Sequence, residues 1–338
     1  MPFIYKIMSE TDIVFLFEIN YNKYARFKFQ EVLIMTNINT GVYPTMITPY
    51  TKDGEIDYVA VKSIVEWYIE KGCKGIFAVC QSSEMAFLTL EERVTLAKKV
   101  VEYAAGRINV VASGHCGHSI SEQIREINAI SETGIDAFVL VSNRFDLHNE
   151  GDDVWIANAE RVLAGINPDI KLGIYECPMP YKRLLSAKIL DWCIKTGRFN
   201  FVKDTCCDPD VLTERLNQLN GTGIMIFNAN AQTLLHSLRH GAAGYSGVMA
   251  NFHPEIYSYL CDNHNSEKAD AVQAFLCYYA FSECMSYPVT AKYHMNLIGI
   301  PMELDSRSRK KSEFTKYEKM IVEQGLTIEK EFVKLMEI

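Results

Sequence analysis

One lysine, Lys203, stands inside the apolar segment 199–205, which otherwise has the composition of a buried strand. Burying an ammonium group without a partner is costly, so such a lysine needs an explanation. Two structural explanations are an ion pair with the neighbouring Asp204 and a position at the rim with the amine in water. The chemical explanation is a lysine whose pKa is lowered by burial, so that the neutral amine attacks a carbonyl carbon and forms an imine.

A tyrosine, Tyr175, stands in a second apolar segment, 171–177. Imine formation moves protons on and off nitrogen and oxygen, and a phenol held beside the lysine is a suitable carrier. The alternative is a tyrosine that only fills the protein interior, which is the commoner role on composition alone. Tyr175 therefore supports imine chemistry only if the fold brings its segment next to that of Lys203.

A polar turn follows a third apolar run and reads Cys80-Gln81-Ser82-Ser83-Glu84. Hydroxyls and free backbone N–H groups at the end of a strand can hold a carboxylate. Serine-rich turns are common in other roles, so this turn alone is a weak indication of a binding site.

The scaffold for these residues is predicted by eight apolar runs that alternate with segments of helical spacing from Gly41 onward. The runs are 42–50, 75–80, 109–113, 137–142, 171–177, 199–205, 224–228 and 243–248. Near-continuous apolar runs are typical of parallel strands covered on both faces. The helical segments between them include an apolar face formed by Val59, Val61, Ile64, Val65 and Tyr68. Eight such units predict a (β/α)8 TIM barrel, in which catalytic residues come from the C-terminal ends of strands. A doubly wound sheet is the alternative, but no glycine-rich phosphate turn follows the first run.

Three regions are expected along the chain. Residues 1–38 form an N-terminal extension, residues 39–265 the catalytic barrel, and residues 266–338 a C-terminal helical region. Met35 is a candidate natural start, and the alternative is an arm that packs on a neighbouring subunit. In the last region, segments 269–285 and 312–324 are amphipathic, and we expect Phe275, Tyr278 and Phe281 to lie in the core or a subunit interface.

Composition limits the possible partners. A net charge of −8 in 338 residues argues against nucleic acid, which needs a clustered basic excess. No apolar stretch reaches the ~20 residues of a membrane span. The ten cysteines are scattered, which indicates free thiols in a reducing cytoplasm rather than a disulfide framework.

Several segments, in this order, resemble the dihydrodipicolinate synthase and N-acetylneuraminate lyase family. They are residues 41–49, the turn 80–84, residues 88–93, Tyr175, Lys203 and residues 241–251. The resemblance implies a homotetrameric (β/α)8 barrel that needs no cofactor or metal and acts on a small 2-keto acid. It further implies that Lys203 forms a Schiff base and that Tyr175 relays protons. The residues expected to bind the substrate are Gln81, Ser82, Ser83 and Ser246. Ser82 takes the place of the family's carboxylate-binding threonine, and Ser246 matches a residue whose backbone borders the same site.

The chain departs from the family pattern at three places. Gln81 stands where the family has a proton-passing hydroxyl, and a shift of one residue would restore a hydroxyl pair as Ser82 and Ser83. Phe145 replaces a tyrosine that reaches into the adjacent subunit's site in synthases, and Pro180 replaces a synthase arginine. Arg144 is a candidate for holding the distal end of a substrate, and the alternative is a rim arginine paired with Asp146.

These departures favour a lyase that acts on pyruvate or a 2-keto-3-deoxy sugar acid, by aldol cleavage or by dehydration. The alternatives are a dihydrodipicolinate synthase of lysine biosynthesis, a keto-acid-binding barrel without turnover, and a barrel with a structural lysine. His115 and His118 superficially resemble a metal site, but no further ligand pattern accompanies them, so we expect no metal.

Overall fold

The computed structural model describes residues 38–283 and 285–338, and the expected N-terminal extension lies outside the described residues. The described part of the chain contains eight strands: β1 Gly41–Val42, β2 Gly75–Val79, β3 Asn109–Ala112, β4 Ala137–Val141, β5 Leu172–Tyr175, β6 Phe199–Asp204, β7 Met225–Asn228 and β8 Gly244–Tyr245. The helices between them are α1 Tyr58–Glu70, α2 Leu90–Ala104, α3 Ile120–Ser131, α4 Asp152–Leu163, α5 Ala187–Thr196, α6 Pro209–Leu219 and α7 Leu234–Arg239. After β8 follow α8 Pro254–Asp262, α9 Ala269–Tyr279, α10 Val289–Leu297 and α11 Lys316–Met336.

The strands form one parallel sheet in the order β1-β8-β7-β6-β5-β4-β3-β2. A parallel bridge between Thr45 and Phe77 joins the two ends of this order and closes the barrel. The predicted (β/α)8 TIM barrel is therefore confirmed. The first ladder is shorter than predicted and ends at Val42, because Pro44 has no N–H to continue it.

The helices begin where the sequence provides caps. The Thr89 hydroxyl accepts a hydrogen bond from the backbone N–H of Glu92, whose side chain bonds back to Thr89, and Ser119 and Glu122 form the same capping box on α3. On α1 the Asp57 carboxylate accepts from the N–H of Val59. The expectation that Val59 shares the buried face of this helix is wrong: it lies in the first turn, beyond the sheet, and is 80% exposed.

Aromatic side chains fill the lower part of the barrel. Tyr43, Phe201 and Phe227 pack together, with ring centroids 4.5 to 5.6 Å apart. Phe77 lies above them, 5.7 Å from the ring of Tyr175. This packed layer lies directly below the side chains at the C-terminal ends of the strands.

The helices after α8 belong to the same compact unit as the barrel. Helix α11 runs to Met336, twelve residues beyond the predicted segment, because its apolar face continues over this length with Leu326 and Met336 buried. Phe275 stacks on Phe332, as a core position requires, whereas Tyr278 and Phe281 are mostly exposed and are not core residues of this subunit. Among the described residues, no helix combines the length and apolar character that a membrane crossing demands.

Candidate active site

Lys203 lies in β6 and is 4% exposed. Its Nζ atom is 4.3 Å from the centre of the Tyr175 ring and 5.6 Å from that of Phe77. Burial lowers the pKa of the Lys203 amine below its ordinary value, because the charged form loses its hydration. The local environment therefore favours the neutral, nucleophilic amine.

Asp204, the partner that a structural lysine was expected to have, points to the other side of the strand. Its carboxylate forms a buried ion pair with Arg215, which also contacts Glu176 at 2.9 Å. Glu176 in turn accepts hydrogen bonds from the backbone N–H groups of Leu185 and Thr205, at 2.7 and 2.8 Å. This network connects the ends of β5 and β6. Asp204 is thereby paired with Arg215, and Lys203 faces the barrel interior.

Tyr175 lies directly beside Lys203, because the two residues are partners in the β5–β6 register. Burial raises the pKa of the Tyr175 phenol well above its ordinary value. The phenol is therefore protonated at neutral pH and can donate a hydrogen bond to an oxygen bound next to the lysine.

The turn after β2 presents its two serines differently. The Ser83 hydroxyl accepts from the N–H of Cys80 at 2.5 Å and donates to the Cys80 carbonyl at 3.0 Å, so it closes the turn itself. The Ser82 hydroxyl donates to that of Thr45 at 3.0 Å. Gln81 is exposed, and its Oε1 atom accepts from the Cys177 thiol at 3.2 Å, two residues after Tyr175. Ser82 is thus the hydroxyl of this turn that is available to a ligand.

A buried carboxylate, that of Glu84, stabilises the position of this turn. Glu84 adopts a left-handed backbone conformation with φ of 62° and is 3% exposed. It accepts hydrogen bonds of 2.6 Å from the Ser306 hydroxyl and the Ser308 N–H, and it lies 3.7 Å from Nζ of Lys292. Burial lowers the pKa of Lys292 to about 8, although the nearby Glu84 partly opposes this. The C-terminal region therefore fixes the position of the Ser82–Ser83 turn.

Ser246 follows β8 and is fully buried. Among the described residues its hydroxyl has no hydrogen-bond partner, whereas its backbone N–H bonds to the carbonyl of Asn228 at 2.8 Å. An unpaired buried hydroxyl at a strand end is a group that a ligand can satisfy.

Arg144 lies elsewhere, in a cavity of about 160 Å³ at the rim between α3 and α4 that His118, Asp146 and Glu150 also line. The expected alternative, a pair with Asp146, is not what the structure contains. Asp146 contacts Arg183 at 3.3 Å, and Arg183 also contacts Asp152 at 2.7 Å. A role for Arg144 in binding the substrate stays a prediction.

The histidines singled out in the sequence are separated. His115 is buried, accepts a hydrogen bond from the N–H of Val141, and stacks on Phe145 at 5.8 Å. Burial lowers the pKa of His115 to about 3, so it is neutral. His118 lines the rim cavity, and no cluster suited to a metal ion occurs within the ranges that the structure describes.

The C-terminal region also contributes to the mouth of the barrel, which could not be expected from the sequence. Tyr287 reaches Asn251, whose amide donates to its hydroxyl at 3.2 Å. Glu283 lies close enough to Lys203 for their charges to interact: burial raises the pKa of Glu283, and the lysine partly opposes this. A Tyr-Pro pair before a helix is the only sequence signal here, and it does not indicate where the phenol points.

Comparisons with known proteins identify a family and a fold for this chain. The sequence profile of the dihydrodipicolinate synthetase family matches residues 39–309. A 4-hydroxy-tetrahydrodipicolinate synthase from Shewanella sp. (strain ANA-3) is 26% identical over 264 residues, which cover 77% of this chain and 88% of the relative. One from Methanococcus maripaludis (strain C7) is 26% identical over 272 residues, covering 77% of this chain and 89% of the relative.

Solved structures show the same fold. The sialic acid aldolase of Ruminococcus gnavus superimposes with a TM-score of 0.77 at 18% identity and covers 87% of this chain and 98% of its own. A prophage protein of the dihydrodipicolinic acid synthase family from E. coli, solved in complex with pyruvate, has a TM-score of 0.77 at 19% identity and covers 86% and 98%.

The barrel and these relatives define an enzyme of the aldolase-type lyase class. Within that class, the chain belongs to the dihydrodipicolinate synthetase family, whose profile spans most of its length.

Proposed function

We propose that this enzyme forms a Schiff base between Lys203 and the carbonyl carbon of pyruvate or a 2-keto-3-deoxy sugar acid. The observation that carries the proposal is the buried Lys203 amine, 4.3 Å from the Tyr175 ring and on the same barrel face. Burial lowers the pKa of this lysine and so raises the fraction of neutral, nucleophilic amine, and a buried phenol beside it can donate a proton to the oxygen that leaves.

The reaction begins when the neutral amine of Lys203 adds to the ketone carbon and gives a carbinolamine. Tyr175 donates a proton to the carbinol oxygen, which leaves as water, and the C=N bond forms. The protonated imine then accepts the electron pair released when a bond further along the substrate breaks. Either this bond is C3–C4, and its cleavage gives the enamine of pyruvate and an aldehyde, or it is a C3–H bond, and its cleavage begins a dehydration. A 3-deoxy substrate carries no hydroxyl group on C3 that could be lost.

In a 3-deoxy substrate the dehydration branch therefore starts at a C3–H bond. The protonated imine accepts the electron pair of the C3–H bond as the C3 proton leaves. The resulting enamine then expels the hydroxyl group on C4, which leaves as water. In the cleavage branch, the C4 hydroxyl loses its proton as the C3–C4 bond breaks. Hydrolysis of the remaining imine returns the free lysine in both branches.

The carboxylate of the substrate is assigned to the turn after β2. We propose that it accepts hydrogen bonds from the Ser82 hydroxyl, which exchanges its bond to the Thr45 hydroxyl for one to the substrate, from backbone N–H groups of the turn, and from the Ser246 hydroxyl. Ser83 contributes its backbone, because its hydroxyl is already bonded to Cys80. Gln81 has no proton to pass on as a hydroxyl does, so its role in the proposal is to border the site beside Cys177.

A synthase of lysine biosynthesis is the second candidate, because curated relatives with that activity are 26% identical to this chain. Two features favour a sugar acid instead. Pro180 stands where synthases have an arginine. Of the two basic residues that follow it, Lys182 donates a hydrogen bond to the carbonyl of Thr205 at 2.7 Å, and Arg183 is paired with Asp146 and Asp152. Phe145 has no hydroxyl and is packed inside its own subunit.

The test is a substrate panel with the purified enzyme. Pyruvate release from 2-keto-3-deoxy sugar acids, or their dehydration, is compared with the consumption of aspartate semialdehyde in the presence of pyruvate. Lys203→Met is the control and should be inactive with every substrate. Turnover of a sugar acid supports the proposal, turnover of aspartate semialdehyde alone supports the synthase, and imine formation without turnover supports a binding protein.

A homotetramer in the cytoplasm completes the proposal. It is supported by the family resemblance and by a chain charge that keeps proteins soluble. Light scattering of the purified chain tests the tetramer directly.

A further inference from the structure

Tyr287 precedes α10, in the C-terminal region, and its phenol reaches the mouth of the barrel. Its hydroxyl oxygen accepts a hydrogen bond of 3.2 Å from Nδ2 of Asn251. The same Nδ2 atom donates to the backbone carbonyl of Thr45 at 2.9 Å, and the Thr45 hydroxyl accepts from Ser82 at 3.0 Å. Tyr287 and Ser82 are therefore held around the same residue, Thr45.

Asn251 fixes the direction in which the phenol of Tyr287 donates. The hydroxyl of Tyr68 donates to Oδ1 of Asn251 at 2.6 Å, which orients the amide so that Nδ2 faces the carbonyls of Thr45 and Val248, both at 2.9 Å, and the Tyr287 hydroxyl at 3.2 Å. Because an amide nitrogen donates and does not accept, the phenolic hydrogen of Tyr287 points away from Asn251. Burial raises the pKa of Tyr287, and hydrogen bonding with Ser82 and Thr45 partly opposes this. The phenol is thus a neutral donor next to the Ser82 hydroxyl.

The loop after β4 does not supply such a donor in this chain. Phe145 is 1% exposed and packs edge-on against Trp155, with ring centroids 5.1 Å apart. Tyr287, by contrast, is only partly buried. The C-terminal region of the same chain thus brings a phenol other than Tyr175 to this end of the barrel.

We propose that Tyr287 is a further substrate-binding residue, whose phenol donates a hydrogen bond to the carboxylate of the keto acid beside the Ser82 hydroxyl. This inference rests on the proposed function, because it concerns the same site. Two donors on one carboxylate fix its orientation as well as its position. They turn the ketone carbon of the substrate toward Lys203, and this site draws both donors from a single subunit.

The experiment compares a keto acid with a neutral ketone. Imine formation is trapped with borohydride over a range of pyruvate or hydroxyacetone concentrations, and half-saturation is measured for the unmodified enzyme and for Tyr287→Phe. Loss of a hydrogen bond to a charged group should raise the half-saturating pyruvate concentration about 10- to 100-fold. The value for hydroxyacetone, which has no carboxylate, should stay within about 2-fold.

Tyr293→Phe is the matched control, because it removes a phenol from the same region that bonds to Glu323 and not to the site. It should leave both half-saturation values unchanged. Equal weakening of pyruvate and hydroxyacetone by Tyr287→Phe would mean that Tyr287 only supports the fold, and no weakening would mean that it does not contact the carboxylate. Either result overturns the inference.

Two further measurements keep the test decisive. If Tyr287→Phe does not fold, as judged by thermal unfolding, Ser82→Ala and Tyr287→Leu are measured in the same way, and the same selective loss with pyruvate is required of both. If the unmodified enzyme traps neither compound, the proposed function itself fails, whereas trapping that is insensitive to Tyr287 rejects only this inference.

Discussion

Lys203 and Tyr175 are register partners on adjacent strands, and the amine lies 4.3 Å from the centre of the phenol ring. Side chains at paired positions of parallel strands point to the same face of the sheet, here the barrel interior. The two groups therefore face the same small volume above Phe77. Their closeness follows from the register of the sheet, which the ion pairs of Arg215 maintain from outside.

Tyr175→Phe should reduce turnover by about 10²- to 10⁴-fold, because it removes the group that we propose to carry protons during imine formation. The ring and its contact with Phe77 remain, so thermal unfolding should hardly change. Steady-state kinetics on the substrate identified by the panel measure the effect. Turnover within 2-fold of the unmodified enzyme would assign Tyr175 to the packing of the barrel alone.

Lys203→Met should raise the free energy of unfolding at pH 7 by roughly 1–3 kcal/mol, because it replaces a buried amine by an apolar side chain. The folded pKa of Lys203 lies below the unfolded value of 10.5. The destabilisation of the folded protein by this lysine is therefore greatest below the folded pKa, and it disappears as the pH rises to the unfolded pKa.

The difference between the variant and the unmodified enzyme should accordingly shrink between pH 7 and pH 10. Denaturant unfolding at several pH values measures it. A difference that is independent of pH, or a variant that is less stable at pH 7, would contradict a desolvated amine.

Lys292→Met should destabilise the protein by about 3–5 kcal/mol, because it leaves the buried carboxylate of Glu84 without its cation. The same change should weaken substrate binding, since Glu84 adjoins the Ser82–Ser83 turn. Lys52→Met is the control: Lys52 lies 3.9 Å from Glu303 in an exposed pair, and its loss should cost less than ~1 kcal/mol. Equal effects of the two substitutions would show that the Glu84 pair does not hold the turn.

Glu329 of α11 should make stability depend on acid pH. It lies 3.5 Å from His253 and 3.8 Å from His294. Burial raises its pKa, but these imidazoles outweigh burial and lower the pKa from 4.5 to about 2. A depressed acid pKa contributes stability above the unfolded value and loses it as the pH falls toward the folded value.

This lowered pKa of Glu329 corresponds to a stabilisation on the order of 3 kcal/mol, which is lost between about pH 4.5 and pH 2. Glu329→Gln should therefore be less stable than the unmodified enzyme at pH 6, with a difference that narrows toward pH 3. Denaturant unfolding across this range is the measurement. A constant difference would mean that the carboxylate does not titrate as described.

The barrel could be predicted from the sequence because its strands are covered on both faces and therefore read as continuous apolar runs. Lys203 and Tyr175 could be singled out because a charge and a phenol within such runs are conspicuous. Their pairing in register could not be derived from the runs alone, since the boundaries of a strand do not fix its alignment with its neighbour.

The contacts of the C-terminal region were beyond sequence reasoning. Ser306 bonds to Glu84 across 222 positions of the chain, and no periodicity links two such segments. For Arg144, the position after a strand suggested a place in the site. The structure places it in the rim cavity between α3 and α4, and its role in binding the substrate stays a prediction. Side-chain direction in a loop depends on backbone turns that composition does not determine.

Whether Lys203 forms a Schiff base is measured by borohydride reduction in the presence of pyruvate, followed by peptide mass spectrometry. Lys292 is an internal competitor, because it is also buried and its pKa is lowered to about 8. If Lys203 forms the Schiff base, we expect one reduced pyruvyl adduct per chain, located on Lys203 and absent from Lys203→Met. An adduct on Lys292 alone, or no adduct with pyruvate or with longer 2-keto acids, would contradict it.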